Sequence, residues 1–321
     1  MSSSDNWPCA ALRDADLSQR TTMRVGGTSQ WLLEPSNPEE LRDAWLAARE
    51  RGFMPRVLGG GANLIVEGGH FPGVVISTAR MRRLFRPGRE GDDEELPSYH
   101  MAPMERERDP RLVAWCGATL PALVSAATKL GYSGIEGLVG VPGSLGGGIA
   151  MNAGGRWGDL WDVVDSVRVM APDGELMDLE RADCTPGYRD GALGGRVLMG
   201  AVMSFEVKAK LAVKELAAEF LREKNSVQPV TQWSSGCIFK NPDPERSEGR
   251  SAGKLIDDCG GKSLARGTAQ VSPLHGNFIV NGGEATAADV LTLIEDVRDL
   301  VAEKTGIELE TEVRIWRCHE A

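Results

Sequence analysis

Ten of the 25 residues from Gly134 to Gly158 (GIEGLVGVPGSLGGGIAMNAGGRWG) are glycine, and most of the others are small or apolar. Glycine loses more backbone freedom on folding than any other residue, so a chain that folds through such a run needs positive φ or close backbone approach there. Bare N–H groups converging on an anion supply that need, as in nests and at helix N-termini that take phosphates. Tight turns between buried strands would leave the same composition. A second, shorter run shifts the balance. Arg56-Val57-Leu58 reads as the end of a strand, Gly59-Gly60-Gly61-Ala62-Asn63 as a glycine loop, and Leu64-Ile65-Val66 as a further apolar run. This is a setting in which backbone amides cradle a pyrophosphate. Two such loops about eighty residues apart suggest one elongated ligand held from two sides.

The loops differ from the commonest nucleotide fingerprints. The first does not open a long helix as GxGxxG does, because Leu64 to Val66 is β-rich and Gly68-Gly69 follow at once; GxxxxGK[ST] is absent, which argues against a P-loop. A formal net charge of −10 argues against a nucleic-acid partner, which wants a basic face. No apolar run approaches the roughly 20 residues that span a bilayer. The N-terminal MSSSDNWPCAALRDAD has neither the basic nor the apolar region of a secretory signal. Six cysteines (9, 116, 184, 237, 259 and 318) lack CxxC spacing, and the four histidines lack metal-ligand spacing. Reduced thiols in a cytoplasmic protein are expected, with no metal site and no disulfide frame.

The elements that must carry these loops are an α/β mixture. A helix is expected at about 38–51, capped by Ser36 or Asn37, with Pro38 in its first turn and Leu41, Ala44, Trp45 and Ala48 on one face. Strands at 55–58 and 74–76 flank the first loop. Residues 86–110 are charged, proline-bearing and non-periodic, which reads as an exposed insertion, solvated more than regulatory. A strand at 112–116, a helix at 120–130 behind Thr119, a hairpin over 163–170 and 175–179, a strand at 197–207 and a helix at 212–224 come next. A last helix starts at Thr286 with Asp289 at the capping-box position. It buries Val290, Leu293, Ile294, Val297, Leu300 and Val301 and stops at Gly306. Residues 307–316 alternate with period two, placing Glu308, Glu310, Glu312 and Arg314 on the polar face of a strand.

TTMRVGG, LGGGANLIV, GLVGVPGSLGGGIAMNAG, GYR, SSGCIFKNP, SAGKLIDDCG, AQVSPLHGNFIVN, the TAADV-led helix and LETEVRIW occur in one order. That order resembles the UDP-N-acetylenolpyruvoylglucosamine reductases (MurB), from about residue 20 to 316. The resemblance implies an α+β fold: two FAD-binding subdomains of the vanillyl-alcohol-oxidase (PCMH) type and a C-terminal α/β substrate-binding domain. The implied boundaries are 1–80 and 81–210 for the FAD-binding subdomains, 211–306 for the substrate domain, and 307–321 for a strand with an active-site glutamate. It implies that NADPH gives a hydride to FAD, which passes it to C3 of the enolpyruvyl group of UDP-GlcNAc-enolpyruvate. Protonation at C2 then gives UDP-N-acetylmuramate for peptidoglycan.

Hydride addition puts negative charge on the α-carbon and its carboxylate, which asks for cationic or hydrogen-bonding groups, and then for an acid. Arg189, in Gly187-Tyr188-Arg189, and Glu312 match the family's active-site arginine and glutamate; each alone would more often be a surface charge. Cys237 stands in SSGCIFKNP where the family usually has serine. A thiol, with an unperturbed pKa of about 8.5, is a far stronger acid than an alcohol and could deliver the proton, although free cysteines often simply pack. Tyr188, Lys240 and Asn241 match substrate-binding positions. Gly59, Gly60, Gly61, Ala62 and Asn63, with Pro142, Gly143, Ser144, Gly147, Asn152 and Gly154, match positions around FAD. The first glycine loop has no histidine to tether flavin, so FAD is expected to be non-covalent. The short third segment resembles the subtype that lacks an extra loop over the substrate.

Overall fold

A computed structural model describes residues 6–86 and 109–318, so most of the charged stretch expected as an insertion lies outside the described residues. The chain divides into two compact units. Met1–Glu34, Ala47–Ser77 and Arg222–Ala321 form the first, and Pro35–Leu46 with Thr78–Leu221 the second.

In the first unit a sheet runs in the order Ala10–Asp16, Thr28–Glu34, His70–Ser77, Arg56–Leu58. Its first pair is antiparallel and the other two are parallel. The N-terminal strand is mostly exposed and was not among the expected elements, because it lacks an apolar face. A second sheet, Trp233–Cys237, Phe278–Asn281, Ala269–Val271 and Ala265–Arg266, is antiparallel throughout. The helix Ala287–Thr305 contributes Val290, Leu293, Ile294, Val297 and Val301 to a core shared with Ile238, Phe239, Val271 and Ile279. Each such side chain adds about 1.5–3 kcal/mol by leaving water. Leu300 is only partly buried at its edge. Thr286 and Asp289 exchange the two capping-box bonds, and Gly306 ends the helix at φ 71°.

The expected strand at 307–316 is corrected: only Arg314–Trp316 is one, and it runs parallel to Leu64–Val66. The preceding residues are bonded to another segment. Lys240 N–H donates to Glu310 O at 2.8 Å, and Glu312 N–H donates to Ile238 O at 2.8 Å. A segment that changes partner midway cannot build one ladder, yet the alternation survives in burial. Ile307, Leu309 and Val313 are buried, while Glu308, Glu310 and Arg314 are exposed.

In the second unit five antiparallel strands run in the order Leu176–Glu180, Val164–Met170, Val197–Ser204, Arg111–Trp115, Leu84–Phe85. The strand expected at 197–207 breaks at Phe205, whose N–H turns to Pro110 O, and Glu206–Val207 pairs with Tyr132–Ser133 instead. Helix Leu120–Leu130 has the expected Thr119 cap and a left-handed Gly131 after it. Helix Pro38–Glu50 is capped by Asn37, whose Oδ1 accepts from Glu40 N–H at 2.8 Å. Its N-terminal half docks on the turn before Leu176: Arg42 Nε donates to Gly174 O and Trp45 Nε1 to Pro172 O.

Candidate active site

Each unit carries one glycine run. In the first, the loop after Arg56–Leu58 turns at Gly61, which has φ 62°. A Cβ there would stand 2.2 Å from Arg20 O, so no other residue fits without moving backbone. Thr22 braces the carbonyl of Gly61: its N–H donates to Gly61 O at 3.1 Å and its hydroxyl at 3.3 Å. Gly60 stays exposed, while Gly59, Ala62 and Asn63 are half-buried.

In the second unit Pro142 is exposed, Gly143 has φ 115°, and Ser144 leads into the short helix Leu145–Ala150. The three successive glycines of that helix are glycine for different reasons. A Cβ on Gly146 would crowd Cys116 O at 3.2 Å, and one on Gly148 would meet Leu160 Cδ2 at 2.9 Å. At Gly147 it would meet nothing within 4 Å. Packing accounts for the outer two; the middle one leaves a bare backbone open to a ligand. The residues present therefore fit a cofactor laid against this block.

The same block carries Arg189. Buried Asn152, at φ 42°, donates from Nδ2 to Gly187 O at 3.1 Å. Gly187 and Asp190 close a tight turn by exchanging backbone bonds of 2.8 and 3.3 Å, which leaves Tyr188 and Arg189 at its tip. Arg189 sits at φ 56°, a left-handed conformation costing a non-glycine residue on the order of 1 kcal/mol or more. Its Nη2 donates to Gly154 O at 3.2 Å, and its guanidinium carbon lies 5.0 Å from the centre of the Tyr188 ring. Burial and the charge of Asp162 raise the Asp159 carboxyl above its ordinary value, against the pull of Arg189.

The remaining candidates belong to the first unit. The register of Trp233–Cys237 against Phe278–Asn281 slips between Ser234 and Cys237, where Gly236 takes φ 77°. Such a bulge re-aims the side chains beside it. Asn277, which is buried, clamps the two residues after Cys237. Phe239 N–H donates to its Oδ1 at 2.8 Å, its Nδ2 donates to Phe239 O at 2.7 Å, and Ile238 N–H donates to its carbonyl at 2.9 Å. Ile238 O in turn accepts from Glu312 N–H at 2.8 Å and Val313 N–H at 3.3 Å. Cys237 and Glu312 are thus one residue and one hydrogen bond apart along the backbone, and both are half-buried. Asn63 joins them to the glycine loop, its Nδ2 donating to Glu312 O at 3.1 Å. Lys240 Nζ is paired with Glu310 Oε1 at 2.6 Å, and Asn241 Oδ1 accepts from Ala252 N–H at 3.1 Å.

Gly59 to Asn63, Cys237, Lys240, Asn241 and Glu312 therefore lie in the first unit. Pro142, Gly143, Ser144, Gly147, Asn152, Gly154, Tyr188 and Arg189 lie in the second. Sequence reasoning missed Asn277, although it stands inside AQVSPLHGNFIVN. The available signal was a polar residue directly before a wholly buried strand. Among the described residues no cluster of His, Cys, Asp or Glu is arranged to hold a metal ion.

Residues 29–180 match the family model of an FAD binding domain. Residues 228–316 match that of the C-terminal domain of UDP-N-acetylenolpyruvoylglucosamine reductase. The reductase of Moorella thermoacetica is 35% identical over 306 residues, covering 95% of this chain and 93% of that protein. That of Desulfosudis oleivorans is 37% identical over 310 residues, covering 94% and 93%. The chain belongs to the UDP-N-acetylenolpyruvoylglucosamine reductase family. The crystal structure of the reductase (MurB) from Thermus caldophilus superposes with a TM-score of 0.74 at 32% identity, covering 96% of this chain and 98% of that one. FAD is accordingly the cofactor. The α+β architecture, a PCMH-type FAD-binding part followed by the reductase C-terminal domain, is the expected one. No helix among the described residues is long and apolar enough to cross a membrane.

Proposed function

We propose that the chain is a UDP-N-acetylmuramate dehydrogenase of peptidoglycan precursor synthesis, reducing the enolpyruvyl group of UDP-GlcNAc-enolpyruvate in the cytoplasm with NADPH as hydride donor. The two glycine loops, Gly59 to Asn63 and the block from Pro142 to Gly154, would hold FAD without a covalent tether, and the bound cofactor would supply the hydride to C3. The chain's own residues deal with the charge and the proton. The Arg189 guanidinium offsets negative charge developing on the α-carbon and carboxylate. The Cys237 thiol gives its proton to C2, and Glu312 is the second acid–base group. Tyr188, Lys240 and Asn241 hold the nucleotide sugar. Lys240 must exchange Glu310 for the ligand to do so, which an exposed ion pair permits at small cost.

The carrying observation is the near full-length likeness to reductases of this one reaction. The backbone junction at Ile238, which holds Cys237 and Glu312 together, supports it. The test is an anaerobic absorbance titration of the FAD-loaded protein. NADPH should bleach the flavin band and UDP-GlcNAc-enolpyruvate should restore it. Reoxidation only by oxygen would point to an oxidase and overturn the reading, as would a flavin that NADPH cannot bleach.

A further inference from the structure

Asn63 lies in the glycine loop that the family uses around FAD, but its hydrogen bonds run to the segment carrying Glu312. Its Nδ2 donates to Glu312 O at 3.1 Å, and its own carbonyl accepts from Arg314 N–H at 3.1 Å. The second bond belongs to the parallel pairing that starts at Leu64 and Arg314, and any residue at position 63 could make it. The first is specific to the side chain. Glu312 precedes the first paired residue, so its carbonyl lies beyond the ladder, and the carboxamide of Asn63 supplies a donor there. Glu312 N–H is meanwhile held by Ile238 O, next to Cys237. Both backbone polar groups of one residue are therefore gripped, one by the glycine loop and one by the bulged strand.

We propose that Asn63 is a positioning residue for Glu312: its carboxamide fixes the glutamate's backbone so that the acid–base step follows from the same loop that holds the cofactor. This rests on the role given to Glu312 above. Shape and chemistry both favour asparagine. Serine is shorter by one atom, and aspartate would set a carboxylate oxygen against the Glu312 carbonyl where a donor is needed. Loss of such a clamp misplaces the reacting group, and a displacement near 1 Å costs about 100-fold in rate.

The test compares full-length, FAD-loaded Asn63→Asp and Asn63→Ala with wild type and with Glu312→Gln. Reoxidation by UDP-GlcNAc-enolpyruvate should slow ~30-fold or more beyond whatever change bleaching by NADPH undergoes, the bleaching step serving as the internal reference for cofactor contact. In cofactor-free protein, amide exchange should quicken at Glu312 to Arg314 and stay unchanged within Ala287–Thr305. Equal slowing of both half-reactions, or unchanged exchange at 312–314, would make Asn63 a cofactor contact and overturn the proposal. Normal reoxidation in Asn63→Asp beside slow reoxidation in Glu312→Gln would overturn the positioning alone. Normal reoxidation in Glu312→Gln would remove the role of Glu312, and this proposal with it.

Discussion

At position 237 a thiol occupies the motif site that the family usually fills with serine, and the bulge at Gly236 sets its aim. Cys237→Ala should leave flavin bleaching by NADPH intact and slow reoxidation by the enolpyruvyl substrate ~100-fold or more, within the range of a general acid. Cys237→Ser should keep substantial turnover. Stopped-flow traces of the two half-reactions check both, and fast reoxidation in the alanine variant would end the donor role. Arg189 invites a different comparison, since it holds a left-handed backbone at the tip of its turn. Arg189→Gly should be more stable than Arg189→Ala by about 1 kcal/mol in urea titrations, with both variants equally inactive. Equal stability would mean the turn relaxes without the arginine. The types and order of these residues were legible in the sequence, because motif position carried them. The φ angles and the grip of Asn277 on Phe239 were not, since nothing local in the chain announces a bond made across 38 residues.

Among the elements, helices read most faithfully because their signals are local. Thr119, Asn37, Thr286 and Gly306 cap or end their helices through bonds within a turn. The strands at 197–207 and 307–316 misled because an alternating run says which face is buried and leaves open which partner takes the hydrogen bonds. The helix Lys210–Val227 holds something no pattern suggested: Lys224 is only 7% exposed, and burial pushes its amine down to about 8. Its folded value lies below the ordinary 10.5, so the unfolded chain binds the extra proton between those limits. The penalty is complete below pH 8 and fades as pH rises toward 10.5. The stability difference between Lys224→Met and wild type should therefore shift in favour of wild type by up to about 3 kcal/mol from pH 7 to pH 10.5. Urea midpoints at the two pH values measure it, and a constant difference would show the amine is well solvated.

On the scale of the molecule, the two units are assembled differently. The second is nearly one stretch of chain, Thr78–Leu221 with Pro35–Leu46, whereas the first is gathered from three. Its glycine loop is bordered by Leu64–Val66, which pairs with Arg314–Trp316 about 250 residues later. Arg314→Pro removes the N–H that donates to Asn63 O at the start of that pairing and should cost about 1–3 kcal/mol. Limited proteolysis should then cut the first unit while a fragment of the second survives, and simultaneous loss of both would show a single cooperative body.

The late pairing has a further consequence during synthesis. The strand that borders the first glycine loop has no partner until residues 314–316 have been made and have left the ribosome. Among the described residues the second unit has its last strand at Glu206–Val207, so it can fold as it emerges. A nascent chain arrested before residue 314 should thus hold a protease-resistant middle and an unfinished first unit, and cofactor capture waits until residues 314–316 have emerged.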